Sequence, residues 1–238
     1  MILLKYLLEA NKYSRRKLIE LIKGGAVSVN AQVELHPAYE VKNDDFILLE
    51  GQRIEKSTYR YFLLNKPSGV VSSAADDKHR KTVVDCISEA RNCRLYPVGR
   101  LDFDTTGAII ITNDGNLANI LMHPSNQVQK EYQVKVDGII TKEILKKLER
   151  PIDIVDDEAT VKNYKFIKYN SATKVSTINI TLTEGKNHEV KRIFESLGLR
   201  VVKLKRIRYD VLDLENLKVG EYRELKIHEV KQLYRQKR

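Results

Sequence analysis

Cysteine is nearly absent from this chain of 238 residues; only Cys86 and Cys93 occur. Two thiols at that spacing form neither a zinc-ligand set nor a C-x-x-C redox pair, so ordinary reduced thiols are expected and no metal site. Long apolar runs are also missing. Nothing approaches the roughly 18 residues of a membrane-spanning helix, so no membrane association is expected. The start, MILLKYLLEANKYSRRK, is apolar only briefly and is broken by Lys5 and Glu9. That is not a secretory signal, and a cytoplasmic location is expected. There is no glycine-rich phosphate loop and no internal repeat. Acidic residues are the minority charge, 32 against 42 basic ones, for a formal net charge of +10.

What is present is a substantial apolar fraction, 42% of residues, enough for one large domain or two unequal ones. The basic excess draws the chain to polyanions. Nucleic acid leads, because phosphate neutralisation dominates such binding. A membrane surface fits less well, since no long basic amphipathic helix with exposed aromatics is evident.

Residues 1–50 read as a small unit. Ile2 to Ala10 is an apolar helix. Ser14 caps a second helix, Arg15 to Lys23, stopped by Gly24 and Gly25. Leu18, Ile19 and Ile22 share one face, with Arg15, Arg16 and Lys17 largely away from it. Short strands follow at Val27–Val29, Val33–Leu35 and Phe46–Leu49. Residues 51–60 are polar and aperiodic and read as a linker.

The remainder, residues 61–238, reads as the larger domain. Tyr61–Leu64 is a strand and Lys66-Pro67-Ser68-Gly69 a turn. Val83–Ile87 reads as helical and Ile109–Thr112 as a strand. Asn116–Met122 is a helix stopped by Pro124. Gln129–Val136 alternates, Thr141–Leu148 is an amphipathic helix, and Val175–Leu182 alternates cleanly, with Ile178, Ile180 and Leu182 on one face. Asn187–Leu197 is a helix, Arg200–Leu204 and Tyr222–Leu225 close the sheet, and His228–Arg235 is a terminal helix. Many strands with isolated helices predict an α+β fold: a mixed, mostly antiparallel sheet flanked by helices, preceded by the small domain.

The segment most informative about chemistry is GRLDFDTTG, Gly99 to Gly107, directly before the apolar run Ala108–Ile111. A loop at the mouth of a buried strand is a common place for a reactive group. Taken alone, Asp102 there reads first as a turn cap. Asp102 and Asp104 are too close along the chain to resemble a glycosidase acid–base pair, whose members face each other from separate elements.

GRLD followed by x-x-T-x-G resembles the catalytic motif of RNA pseudouridine synthases, and the likeness extends over nearly the whole chain. LNKPSGVVSS is similar to that family's first motif. The small unit, with its SRRK helix start and G-x-V-x-V-N turn, resembles the RNA-binding module first seen in a small-subunit ribosomal protein. One departure is Ala31, where the module's usual turn is Asn-Gly. The combination with VKRIFESLG resembles the RsuA/RluB/RluE/RluF branch, which modifies ribosomal RNA. FLLNKPSGVVSSAADDKHRKTVVD and GEYREL are similar to its large-subunit type, NHEVKR to its small-subunit type; the balance favours large-subunit RNA.

The resemblance implies roles for named residues. Asp102 is the catalytic carboxylate, attacking the target nucleotide or stabilising a cationic sugar. Tyr132, in Lys130-Glu131-Tyr132, stacks on the base and helps remove a proton. Lys191 and Arg192 fall at the family's basic pair, Lys191 being the cation that keeps Asp102 ionised. Arg100 fills the gap left by the flipped nucleotide or grips a phosphate. Leu204 lines the base pocket. Lys203, Lys205, Arg206 and Arg208 form a basic strand, or else an edge guarded by lysines. Arg15, Arg16 and Lys17 engage RNA from the small domain. Asp104 and Thr105 are expected to be loop architecture and His188 not to be catalytic. Isomerisation neither oxidises nor hydrolyses, so no cofactor is expected. The expected partner is ribosomal RNA or an assembly intermediate, met by a monomer. The competing reading is an RNA-binding ribosome-assembly factor without catalysis.

Overall fold

A computed structural model describes residues 1–11, 13–55, 58–91 and 94–235. The small domain begins with helices α1, Leu3–Ala10, and α2, Arg15–Lys23. Ser14 caps α2 by accepting from the Lys17 backbone N–H at 3.1 Å. Four short strands follow: β1, Val27–Val29; β2, Gln32–Val33; β3, Ile47–Leu49; and β4, Gln52–Arg53. They form a sheet in the order β2-β1-β3-β4. Leu3, Leu7, Leu18, Ile22, Val27 and Ile47 close a separate core beneath it. β4 lies in the polar segment read above as linker; its backbone pairs with Leu48 and Leu49, which composition alone does not reveal.

The β1–β2 turn explains why β2 starts before the expected Val33. Asn30 and Ala31 form a two-residue connection, so Gln32 pairs with Val29. Both turn residues take positive φ, 53° and 67°. Such hairpin turns favour Asn-Gly, and a Cβ in the left-handed region costs about 1–2 kcal/mol. Ala31→Gly is therefore expected to stabilise the small domain by about 1 kcal/mol, part of the relief being offset by unfolded-chain entropy. Thermal unfolding checks it; an unchanged or lower transition would refute the strain argument.

The larger domain continues with β5, Tyr61–Lys66; β6, Tyr96–Val98; β7, Thr106–Thr112; and helix α3, Gly115–Met122, capped by Asp114. Next come β8, Lys130–Asp137; helix α4, Lys142–Lys147; the hairpin β9, Ile152–Ile154, and β10, Asp157–Ala159; β11, Asn163–Asn170; and β12, Val175–Leu182. Helix α5, Glu189–Ser196, precedes β13, Arg200–Tyr209; then β14, Leu212–Asp213, β15, Tyr222–Glu224, and helix α6, Ile227–Tyr234. The nine-stranded sheet runs β11-β12-β8-β13-β7-β5-β15, with β14 on β13 and β6 on β7. Its pairs are antiparallel except β13 beside β7. The α+β architecture expected from the sequence is the one found. Val83–Ile87, read as helical, is a single 3-10 turn at Val84–Cys86.

The two faces of this sheet differ. One packs along its length on a core containing Phe62, Ile109, Val134, Ile178 and the α5 residues Ile193 and Phe194. The other is covered by α3 and α6 through Leu63, Ala108, Ile110, Leu117 and Leu233, and no residue of β8, β11 or β12 belongs to that second core. β7 is thus buried on both faces, as a continuous apolar run predicts, while β8, β12 and β13 keep one face polar.

One expectation is corrected. Arg200–Leu204 extends to Tyr209, and this strand is central, between β8 and β7, rather than a lysine-guarded edge. Its alternation of basic and apolar residues marks a strand buried on one face only. Cys86 is half-buried, and burial pushes its thiol up, as suits an inert thiol. Cys93 lies outside the described residues.

Candidate active site

Asp102 sits in the loop between β6 and β7, and buried polar groups on the neighbouring segment hold that loop. The Ser72 hydroxyl accepts from the Leu101 N–H at 3.1 Å and donates to the Leu101 carbonyl at 2.8 Å. Gly69 N–H donates to the Phe103 carbonyl at 2.8 Å. The Lys66 ammonium, fully buried, donates to the carbonyls of Thr105 at 2.9 Å, Asp102 and Pro67 at 3.1 Å, and Phe103 at 3.4 Å. Burial pulls Lys66 down to about 8, against the attraction of Asp104 and Asp102. The KPSGVVS segment is therefore the staple of the Asp102 loop. The sequence marked it as a motif but gave Lys66 no role, because a buried lysine runs against the usual exposure of that residue.

The loop opens onto a cavity of about 1080 Å³, whose walls include Arg100, Asp102, Tyr132, His188, Leu204 and Arg206. The Asp102 side chain is 27% exposed. One carboxylate oxygen lies 3.2 Å from His188 Nδ1 and 3.5 Å from Lys191 Nζ. His188 adopts a left-handed backbone, φ 51°, immediately before α5, and Lys191 lies in that helix's first turn. The start of α5 thereby brings both side chains to Asp102.

The geometry adds to what was expected of four residues, Lys191, Asp104, His188 and Arg206. Lys191 is held chiefly by Asp104, to whose oxygens it donates at 2.8 and 2.9 Å. That bond keeps the Asp104 carboxyl below the usual range. Burial alone would lower Lys191, but its bond to Asp104 and the charges of both aspartates raise it. Lys191 is not in the cavity wall, so it acts on Asp102 from behind. Asp104 is thus more than loop architecture: it sets the position of the cation. His188, set aside from the sequence, contacts Asp102 directly; a turn that only the fold brings over the loop leaves no signal in the local pattern. Arg206 leaves the proposed phosphate-gripping strand face, because it is 1% exposed and points to the opposite face.

Tyr132, nearly buried on β8, lies opposite Arg206 across the β8–β13 ladder, with Leu204 opposite Val134 two pairs further on. The Tyr132 hydroxyl has no hydrogen-bond partner among the described residues. Arg206 donates Nε–H to the Ala108 carbonyl at 2.6 Å and lies 4.8 Å from the Tyr209 ring centroid. Its Nη2 is buried without an acceptor. Lys130, pulled down to about 8 by burial, ties the start of β8 to the opposite wall through the carbonyls of Glu184 at 3.1 Å, Val128 at 3.3 Å and Thr183 at 3.5 Å.

Arg100 is exposed at the cavity rim without a protein partner among the described residues. Arg192 is not in this cavity but in an adjoining depression with Asp156 and Asp157. Arg15, Arg16 and Lys17 are exposed on the small domain, in the first turn of α2, where the helix dipole disfavours cations. Among the described residues only Lys17 is partnered there, by Glu20 at 2.8 Å.

The arrangement is a carboxylate contacted by a histidine and a lysine, in the wall of a nucleotide-sized pocket that it shares with an aromatic side chain. Such a site can attack or stabilise a sugar carbon while a base is held against the ring. The chain matches the family described as RNA pseudouridylate synthase over residues 60–196, and the S4 domain over residues 3–47. It is 44% identical over 229 residues to ribosomal large subunit pseudouridine synthase B of Bacillus subtilis (strain 168), covering 96% of this chain and 93% of that protein. To the Yersinia pestis protein of the same name it is 37% identical, covering 93% of this chain and 71% of that one. A crystal structure of a pseudouridylate synthase superposes with a TM-score of 0.67 at 28% identity, covering 98% of this chain and 99% of the other.

Proposed function

Because the chain belongs to the RNA pseudouridine synthase family and carries an S4 domain, we propose that it converts a uridine of large-subunit ribosomal RNA to pseudouridine, with Asp102 as the reacting carboxylate. The observation that carries this reading is the Asp102 carboxylate held between His188 and Lys191 at the wall of a cavity that also contains Tyr132. The large-subunit substrate rests on similarity over at least 93% of this chain to two proteins named for it. The working place is then the cytoplasm; among the described residues no helix is long and apolar enough to cross a membrane.

The target uridine leaves its stack at a cost of about a few kcal/mol, least in a loop. Arg100, at the rim, takes the vacated place, and the base enters against Tyr132 and Leu204. Asp102 acts at the nucleotide as the bond from N1 to C1′ breaks, the electron pair leaving with the base. The base turns, C5 bonds to C1′, the C5 proton departs and N1 gains one. Atoms and electrons balance within the nucleotide, so the step itself calls for no redox or hydrolytic partner.

The test follows from that proton. Transcripts of large- and small-subunit RNA carrying tritium at uridine C5 are incubated with the protein, and release to solvent is measured. Release from the large-subunit transcript, at one mapped position, is expected; release from neither ends the proposal, and release from the small-subunit transcript alone moves the substrate. Tyr132→Phe keeps the stacking face and loses the unpartnered hydroxyl. It is expected to lower kcat by about 10²-fold or more with RNA affinity unchanged. An unaltered kcat would remove the proton role and leave the tyrosine a platform.

A further inference from the structure

On the sheet face away from the cavity, strand alternation collects lysines. The register aligns Lys168, Thr177, Lys135 and Lys203 in one row across β11, β12, β8 and β13. The next row is Lys165, Asn179, Gln133 and Lys205. Tyr132, Val134, Leu204 and Arg206 alternate with these residues along β8 and β13 and are buried on the cavity side. Lys165, Lys168 and Lys203 are exposed, and Lys135 and Lys205 half-buried.

Acidic groups on this face are already engaged. Glu131 pairs with Arg208 at 2.7 Å and Asp137 with Arg200 at 2.8 Å. None of the five lysines has an ion pair among the described residues. Lys135 and Lys203 stand directly opposite each other, a like-charge pair that destabilises a sheet. No helix of the second core covers this region.

We propose that this open face is a second RNA-binding surface, which holds the phosphate backbone of helical RNA outside the target loop. The inference rests on the proposed RNA substrate and adds a site that the cavity does not contain. Charge complementarity selects a polyanion, and ammonium groups on flexible stems suit a row of phosphates. Between the lysines the rows carry only Thr177, Asn179 and Gln133; without an aromatic ring there is nothing on which to stack an unpaired base. Backbone contact with a duplex, read by shape and phosphate, is what remains. A large folded RNA can then be gripped on both faces of the sheet while one uridine occupies the cavity.

The test is the triple variant Lys135→Gln/Lys168→Gln/Lys203→Gln, assayed with a large-subunit transcript. Affinity at low salt is expected to fall about tenfold or more, and the slope of log K against log salt to shrink by about 2. At saturating RNA, kcat for tritium release is expected to match the wild type, with KM raised. The melting temperature is expected not to fall, since the replaced groups are unpaired and mutually repulsive. Unchanged affinity and slope overturn the proposal, as does weaker binding with an unaltered slope. Retained RNA affinity with lost binding to ribosomal particles overturns it in favour of an acidic protein partner. If the wild type binds the transcript but releases no tritium, the activity reading fails and the affinity measurements still decide this one.

Discussion

Asp102→Asn is expected to abolish tritium release, by about 10⁴-fold or more, while large-subunit RNA binds within about twofold of wild type. The amide has the shape of the carboxylate but neither its charge nor its nucleophilicity. The fold is expected to survive, because the parts that hold the loop do not depend on this side chain. Lys66 grips carbonyls of the loop, Ser72 grips Leu101, and Lys191 keeps both its bonds to Asp104. The removed interactions are the 3.2 Å contact to His188 and the 3.5 Å contact to Lys191, both on a partly exposed group. A purely structural role would appear as a lower melting temperature with proportionate loss of activity. A non-catalytic assembly factor would appear as RNA binding without product in wild type and variant alike. Retention of even a tenth of the wild-type rate by Asp102→Asn would remove the carboxylate from the chemistry.

Asp102 was legible because its loop carries a complete pattern at the head of a buried strand. β12 was legible because one face is buried, so Ile178, Ile180 and Leu182 alternate with polar residues. β11 left no such trace. At the edge of the sheet its residues are almost all exposed, and Lys165, Phe166, Ile167, Lys168 and Tyr169 show no single apolar face, the less so because a bulge shifts the register after Phe166. β13 was seen as basic but misplaced, since a strand bare on one face and buried on the other resembles an edge. The largest omissions are buried cations. Lys66, Lys130 and Arg206 satisfy backbone carbonyls contributed by remote segments. Partners so far apart in sequence have no local spacing to betray them. The contact of His188 with Asp102 left no signal for the same reason.

The two glycines that bound the Asp102 loop are expected to respond to alanine in opposite ways. Both take positive φ, 77° at Gly99 and 116° at Gly107. A Cβ on Gly99 meets nothing within 4 Å, so Gly99→Ala costs only backbone strain of about 1–2 kcal/mol and leaves a folded protein. A Cβ on Gly107 would lie 2.1 Å from the Arg206 carbonyl oxygen, 2.7 Å from its nitrogen and 2.8 Å from its carbonyl carbon. All three are backbone atoms, so no rotamer change relieves the clash. The position is also the seam of the sheet: β7 and β13 meet only at Thr106–Lys205 and Gly107–Arg206. Across that seam lie β5 and β15 on one side and β8, β12 and β11 on the other. Parting it displaces Arg206 from the Ala108 carbonyl and Leu204 from the Thr106 hydroxyl, directly below the cavity. Gly107→Ala is expected to lose more than about 4 kcal/mol, enough to deprive a domain of marginal stability of most of its folded population. The measurement is soluble yield and thermal unfolding of the two variants side by side. Comparable stability would show that the seam can open without cost and that the last glycine of GRLDFDTTG is not there to let two backbones touch.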